Sequence, residues 1–244
     1  ASAGNHAQGV AMTCKKLKLS SSIVMPSTTP SIKVNAVKKL GSKVILAGDT
    51  YDEAFDFAIK HAKKNKYEFI HPYDDLDVIA GQGTIGIELI EQLKERPDYV
   101  FIPVGGGGLL AGIAVYLKIV SPKTKIIAIE AEDSACFNLA YKKGKPISLK
   151  HVGIFADGVA VKKIGTKTFK LSKNIVHQSI TVSTDEICSS IKDLYEETRI
   201  IAEPAGALSL AGAKKYLLAH NVHNKNIATI ICGANMTFNR LRHV

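Results

Sequence analysis

The sequence predicts an α/β protein with two open, twisted sheets of parallel strands flanked by helices. Segments with helical spacing of apolar residues alternate with short β-branched runs along most of its 244 residues. Crossover helices join parallel strands, so this alternation favours parallel sheets. A polar, turn-rich stretch at 74–83 interrupts the alternation. We therefore expect a smaller domain over 1–80 and a larger one over 81–244.

In the smaller domain, the predicted elements follow one another as helices and short strands. A helix begins at Ala7, and prolines at 26 and 72 end the first and last strands. The remaining predicted elements are strands at Ser22–Met25, Lys43–Ala47 and Glu68–Ile70, and helices at Ser31–Leu40 and Thr50–Lys64.

The larger domain repeats the same alternation, with an irregular stretch at 153–165. Its predicted strands are Tyr99–Pro103, Lys125–Ile129, Ser179–Val182 and Ile227–Ile231. Its predicted helices are Ile85–Lys94, Leu109–Val120, Ala135–Lys142, Asp185–Thr198 and Pro204–Ala219.

Composition and charge favour some classes of partner over others. The net charge is +10, but the lysines occur as dispersed pairs within helical patterns, as on solvated helix faces. The sequence has no Trp and no groove-reading module, so we expect no nucleic-acid partner. No apolar run approaches the roughly 20 residues that span a bilayer, so we expect no membrane association. The four cysteines and eight histidines lack zinc spacing, so we expect no metal site and a reducing, cytoplasmic setting.

Four consecutive glycines lie between a predicted strand and a predicted helix. Gly105, Gly106, Gly107 and Gly108 precede Leu109, so backbone N–H groups and the helix dipole can bind a phosphate there. A flexible turn is the alternative for a glycine run considered alone. No Lys-Ser or Lys-Thr follows, so this is not a Walker loop, although Glu130 after the next strand keeps a ribose-binding alternative open.

A second loop, Ser2-Ala3-Gly4-Asn5-His6, leads into the first predicted helix. Ser and Asn side chains can cap such a helix, and its free N–H groups can receive a carboxylate. This segment reads as the end of a loop and not as a natural start, so we expect residues upstream of Ala1, and no targeting signal is readable.

Together these two loops resemble the second fold type of pyridoxal-phosphate enzymes, the group that includes the tryptophan synthase β chain. The resemblance extends over nearly the whole chain. It implies that the tetraglycine loop and Leu109 bind the phosphate of pyridoxal 5′-phosphate, and that Asn5 contacts O3′ of its ring. It also implies that Ser2, Ala3, Gly4 and His6 bind the carboxylate of an amino-acid substrate.

The segment Ile231-Cys232-Gly233-Ala234-Asn235-Met236 also matches this family. A buried Cys after a strand is more often a core residue. The resemblance implies instead that Cys232 contacts the pyridine nitrogen, where a thiol favours β-elimination. Two further matching segments have less defined roles, and Glu203 alone is also a good helix start. These segments are Phe155-Ala156-Asp157-Gly158-Val159 and Glu203-Pro204-Ala205-Gly206-Ala207.

Within the family, the chain resembles the biosynthetic threonine dehydratases more than the serine racemases. Ala3 stands where the racemases have a serine that donates a proton, and an alanine has no proton to donate. Cys136 stands where the racemases have an acidic cation ligand, which argues against a metal. The longer match extends to Asn239-Arg240-Leu241-Arg242.

The resemblance implies dehydration and deamination of L-threonine, and of L-serine, to 2-oxo acids and ammonia, the first step of isoleucine biosynthesis for threonine. The family's Schiff-base lysine lies in a K-x-R-G-A-like segment, which we expect upstream of Ala1, so we expect this stretch alone to be inactive. We also expect a regulatory domain after 244 and a homo-oligomer, a dimer or tetramer. The alternatives are a serine racemase or serine dehydratase, and a non-catalytic phosphate-binding homologue.

Overall fold

The computed structural model of the chain describes residues 1–236. The chain forms two compact units, the first of which is Ala1–Pro72, while the second begins at Tyr73. The predicted boundary near residue 80 falls inside a helix, eight residues beyond this division.

The first unit is built on two parallel strands, β1 (Ser22–Met25) and β2 (Lys43–Leu46). Ile23 and Met25 are buried against small residues of the first helix, among them Ala7 and Ala11. The helices of this unit are α1 (Asn5–Leu17), α2 (Ser31–Lys39) and α3 (Tyr51–Asn65).

The prediction of a strand at Glu68–Ile70 is wrong, because these residues form no strand in the described part of the chain. Lys66 adopts a left-handed conformation that ends α3, and the Tyr67 N–H donates to the Ala62 carbonyl oxygen. The Phe69 ring then packs edge-on against Phe55, with 5.5 Å between the ring centroids. Side-chain packing, and not a backbone ladder, therefore holds this segment.

The second unit is built on one parallel sheet with the strand order β5-β4-β3-β6. The strands are β3 (Tyr99–Pro103), β4 (Lys125–Ala131), β5 (Gln178–Val182) and β6 (Ile227–Thr229). The helices are α4 (Leu76–Gln92), α5 (Gly108–Val120), α6 (Cys136–Lys143), α7 (Thr166–Ser172), α8 (Thr184–Thr198) and α9 (Pro204–Ala219).

Both faces of this sheet are covered by helices. Successive strand side chains point to opposite faces, so Val100 and Ile102 pack with Leu110 of α5, whereas Phe101 packs with Leu208 of α9. Burial on both faces explains why β3 is a continuous apolar run and shows no alternation. The predicted fold class, parallel sheets flanked by helices, is confirmed.

The prediction of turns over 74–83 is wrong, because α4 already begins at Leu76. The Asp75 carboxylate caps this helix by accepting the N–H groups of Asp77 and Val78, at 2.9 and 3.2 Å. Helix α7 was not predicted. In the described part of the chain, no helix is long and apolar enough to cross a bilayer.

Candidate functional site

The tetraglycine loop joins the carboxyl end of β3 to the start of α5. Gly107 caps α5 with a left-handed φ of 91°, which glycine adopts without strain. The main-chain N–H groups of Gly105–Leu109 have no acceptor among the described residues. They lie at the positive end of a 13-residue helix, so the loop presents unsatisfied donors in a favourable field for an anion.

Side chains pack so closely against the middle of this loop that Gly106 and Gly107 leave no room for a side chain. A Cβ on Gly106 would lie 2.1 Å from Cγ of Tyr73, and one on Gly107 would lie 2.6 Å from Cδ1 of Ile164. The loop is therefore closely packed against its neighbours, which favours a fixed conformation over a flexible turn.

Carbonyl groups of the loop are hydrogen-bonded to the protein, while its N–H groups are left free. The Gly105 oxygen accepts from the Cys136 thiol at 3.6 Å. The Gly106 oxygen accepts from the Thr168 hydroxyl at 2.9 Å and from the Gly165 N–H at 3.2 Å. Free donors and engaged acceptors are the arrangement that a phosphate monoester requires, so these residues fit the phosphate of pyridoxal 5′-phosphate.

Glu130 is the residue that kept a ribose-binding site open as an alternative in the sequence. It is fully buried at the end of β4. Its two carboxyl oxygens accept the N–H groups of Phe137 and Asn138, each at 2.7 Å, at the start of α6. Burial raises the pKa of Glu130 to about 8 and also raises the pKa of the neighbouring Cys136 thiol. Both carboxyl oxygens of Glu130 are thus hydrogen-bonded to the protein, and Cys136 supports the tetraglycine loop. The described residues contain no cluster of three metal-ligating side chains.

The segments around Gly158, Glu203 and Cys232 come together in the second unit. The Glu203 N–H donates to the Gly233 oxygen at 3.0 Å, and its carboxylate accepts the Asn235 N–H at 2.8 Å. A Cβ on Gly158 would lie 3.0 Å from a Glu203 carboxylate oxygen. Glu203 therefore joins three segments that the sequence analysis identified separately.

This cluster is continuous with the tetraglycine loop. A Cβ on Gly105 would lie 3.1 Å from Cα of Val159, which follows Gly158 directly. The Cys232 thiol is half-buried, and its burial, together with the negative charge of Glu203, raises its pKa to about 12. Cys232 is therefore a neutral thiol at physiological pH.

The predicted substrate loop lies in the first unit and is not capped as expected. Gly4 is the N-cap of α1 and has no side chain to close the helix start, whereas Asn5 is already the first helical residue. The Ser2 hydroxyl accepts the Gly4 N–H at 3.1 Å, outside the helix. The expectation that Ser and Asn cap α1 is therefore wrong. Ala3 is half-buried against the apolar core of this unit.

His6 is held close to the backbone at the end of the first unit. Its Nε2 atom lies 3.2 Å from the Ile70 oxygen. Burial is the main cause that lowers the pKa of His6 from its ordinary value, and the positive charge of His71 adds to this effect. His6 is therefore mostly neutral at physiological pH.

Three residues that support the loop were missed in the sequence analysis, namely Tyr73, Asp74 and Thr168. Asp74 reads as a turn residue beside Asp75, and its partners lie more than 90 residues further along the chain. No local pattern could have identified this contact. The matching segment Asn239-Arg240-Leu241-Arg242 lies outside the described residues.

Comparison with known proteins identifies relatives along the whole chain. A family model described as pyridoxal-phosphate dependent enzyme matches residues 1–233. The biosynthetic L-threonine dehydratase of Haemophilus influenzae is 51% identical over 244 residues, which are 100% of this chain and 47% of that protein. The chain spans about half the length of the curated relatives it matches.

Comparison with solved structures also identifies relatives along nearly the whole chain. The processed form of threonine deaminase isoform 2 from Solanum lycopersicum has a TM-score of 0.96 at 46% identity, covering 99% of this chain and 70% of that one. Serine racemase from Dictyostelium discoideum has a TM-score of 0.88 at 31% identity, covering 97% of this chain and 76% of that one.

Proposed function

The chain belongs to the family of pyridoxal-phosphate-dependent enzymes, and from this membership we propose that the protein containing it is a threonine dehydratase. The resemblance inferred from the sequence is confirmed at the level of the family and its cofactor. The proposed enzyme converts L-threonine to 2-oxobutanoate and ammonia, as the first step of isoleucine biosynthesis. It also acts on L-serine.

The tetraglycine loop is the observation that carries this proposal. Its free N–H groups, from Gly105 to Leu109, bind the cofactor phosphate. When bound, pyridoxal 5′-phosphate supplies an electron sink for the α-carbon of the amino acid. Cys232 contacts the pyridine nitrogen as a neutral thiol, which leaves that nitrogen unprotonated and favours loss of the β-hydroxyl.

The residues of the first unit are assigned to cofactor and substrate by resemblance to the family. Asn5 contacts O3′ of the cofactor, while Ser2, Ala3, Gly4 and His6 receive the substrate carboxylate. The Schiff-base lysine lies upstream of Ala1 in this proposal, because none of the lysines in the sequence lies in a K-x-R-G-A-like segment.

Serine racemisation is the competing activity, since a racemase shares the fold at 31% identity. Two observations favour the dehydratase. Identity to biosynthetic threonine dehydratases reaches 52% over the whole chain. Ala3 also lacks the hydroxyl that would protonate the second face of the substrate α-carbon.

Incubation of the full-length protein with L-threonine tests the proposal. We expect 2-oxobutanoate and ammonia in equal amounts, dependent on pyridoxal 5′-phosphate. With L-serine we expect pyruvate and no D-serine, measured by chiral chromatography. Formation of D-serine without any 2-oxo acid would identify a racemase, and binding of the cofactor without turnover would identify a non-catalytic homologue.

We further propose that the protein works in the cytoplasm as a homo-oligomer, a dimer or tetramer, with a regulatory domain after residue 244. Some relatives of the chain are chloroplastic, so cell fractionation is the relevant measurement of location. Light scattering of the full-length protein gives its mass in solution, and a monomer would contradict the assembly proposed here.

A further inference from the structure

Asp74 makes a long-range contact that ties the start of the second unit to α7. Its carboxylate accepts three main-chain N–H groups, from Thr166 at 3.0 Å, Lys167 at 2.8 Å and Thr168 at 3.1 Å. These are the donors that a helix leaves unsatisfied at its first turn, and a carboxylate there is also favoured by the helix dipole. Asp74 therefore fixes the position of the start of α7.

The start of α7 in turn holds the tetraglycine loop. Thr168 is fully buried, and its hydroxyl donates its one proton to two carbonyl oxygens, those of Gly106 at 2.9 Å and Gly165 at 3.1 Å. The Gly165 N–H donates to the Gly106 oxygen at 3.2 Å. A Cβ on Gly165 would lie 2.5 Å from a carboxylate oxygen of Asp74, so the carboxylate packs directly on this segment.

Tyr73, the neighbour of Asp74, packs against the same loop. Its ring lies against Gly106, and a Cβ on Gly108 would lie 3.3 Å from its Cα. Two consecutive residues thus position the loop, Tyr73 by direct packing and Asp74 through α7.

Planarity of the peptide bond connects these contacts to phosphate binding. In a trans peptide the C=O of one residue and the N–H of the next point in opposite directions. Hydrogen bonds to the Gly106 oxygen therefore fix the direction of the Gly107 N–H. The contact between the Cys136 thiol and the Gly105 oxygen fixes the Gly106 N–H in the same way.

We propose that Asp74 is a positioning residue, which sets the affinity of the tetraglycine loop for a phosphate monoester through α7 and the Thr168 hydroxyl. The inference rests on the proposed function, because it takes the phosphate of pyridoxal 5′-phosphate as the ligand. In this proposal Asp74 acts through α7 and not by contact with the ligand. Its removal loosens the loop and leaves the groups that bind the rest of the cofactor in place.

The test compares two probes on the full-length apoprotein, pyridoxal 5′-phosphate and phosphate-free pyridoxal. For Asp74→Ala and Thr168→Val, we expect the dissociation constant for pyridoxal 5′-phosphate to rise about tenfold or more, as loss of buried hydrogen bonds implies. Binding of pyridoxal is expected to change less than about twofold, since it makes no phosphate contacts. Thr168→Ser keeps the hydroxyl and is expected to retain most of the wild-type affinity.

Asp77→Ala is the matched control, because it removes the same charge from an exposed residue three positions away. We expect it to bind both probes as the wild type does. Hydrogen exchange of the peptide over 104–110 gives an independent measurement, and its rate is expected to rise in Asp74→Ala and not in Asp77→Ala.

Unchanged binding of pyridoxal 5′-phosphate in Asp74→Ala and Thr168→Val would overturn the inference, and so would equal losses of affinity for both probes. If Asp74→Ala does not fold, Asp74→Asn takes its place in the same two-probe comparison, because it keeps the size of the side chain but replaces one accepting oxygen with an NH2 group that cannot accept the N–H groups at the start of α7. A wild-type protein that binds neither probe would instead contradict the proposed function. Wild-type binding and turnover combined with unaffected variants would contradict only the role of Asp74.

Discussion

Glu130 is a fully buried carboxyl group whose two oxygens each receive a backbone N–H from the start of α6. Those hydrogen bonds favour the charged form, but loss of hydration outweighs them and raises the pKa of Glu130 to about 8. The folded chain therefore binds a proton at a pH where the unfolded chain has released it.

This difference predicts a pH dependence of stability. Between pH 4.5, the ordinary pKa of a glutamate, and about pH 8, the folded state holds more protons than the unfolded state, so the free energy of unfolding falls as pH rises. The contribution of Glu130 is fully present below pH 4.5 and is lost by about pH 8. Within this range the free energy of unfolding falls by up to ~1.4 kcal/mol per pH unit because of Glu130.

Glu130→Gln removes the titration, and we expect it to flatten the change in free energy of unfolding between pH 5 and pH 8. Urea titrations of the full-length protein across this range measure the slope. Glu132→Gln, at an exposed position two residues away, is the control and should keep the wild-type slope. An unchanged slope in Glu130→Gln would show that another group carries the pH dependence.

Among the elements, α4 and α5 pack at a distance that only glycines allow. A Cβ on Gly112 would lie 2.4 Å from the Ile79 oxygen and 2.6 Å from the Gly83 nitrogen, both of which are backbone atoms. Gly83 likewise faces the Gly112 oxygen, at 3.2 Å from its would-be Cβ. Gly83, which lies in the stretch that the sequence predicted as turns, is therefore a contact point between two helices.

Gly112→Ala is expected to lower the free energy of unfolding by roughly 1–3 kcal/mol, because backbone atoms of α4 must move to admit the methyl group. It also displaces α5, which carries the tetraglycine loop at its start, so the affinity for pyridoxal 5′-phosphate should fall. Denaturant unfolding and a cofactor titration measure the two effects.

Gly81→Ala provides the comparison in the same helix, since a Cβ there meets nothing within 4 Å. We expect it to raise the free energy of unfolding by roughly 0.5–1 kcal/mol through helix propensity alone. If both substitutions lowered the free energy of unfolding equally, close packing of α4 on α5 would not be the cause of the loss in Gly112→Ala.

For the molecule as a whole, binding of pyridoxal 5′-phosphate is expected to stabilise the folded state by mass action. At a free concentration of about 100 times its dissociation constant, the stabilisation is about 2.7 kcal/mol. Thermal unfolding of the full-length protein with increasing cofactor measures this effect. Phosphate-free pyridoxal at the same concentration should raise the midpoint less, whereas an equal rise would argue against phosphate binding by the tetraglycine loop.

Patterns within a few residues were sufficient to predict most of the elements of this molecule. Strands Ser22–Met25 and Tyr99–Pro103 and helix Pro204–Ala219 have the predicted bounds, because local periodicity and flanking Pro or Gly residues determine them. The failures occurred where the local pattern and the packing disagree. Glu68–Ile70 has strand-like residues but no ladder, and 74–83 has turn-like residues within a helix.

The sequence by itself determined the fold class, the family and the tetraglycine loop, because these depend on residue types that lie next to one another in the chain. Only the tertiary structure decided how that loop is held. The contacts from Asp74 to α7 and from Thr168 to Gly106 join residues more than 60 positions apart. Hydrogen bonds across such separations leave no periodic trace in the sequence, since their geometry exists only after the sheet and its helices have packed.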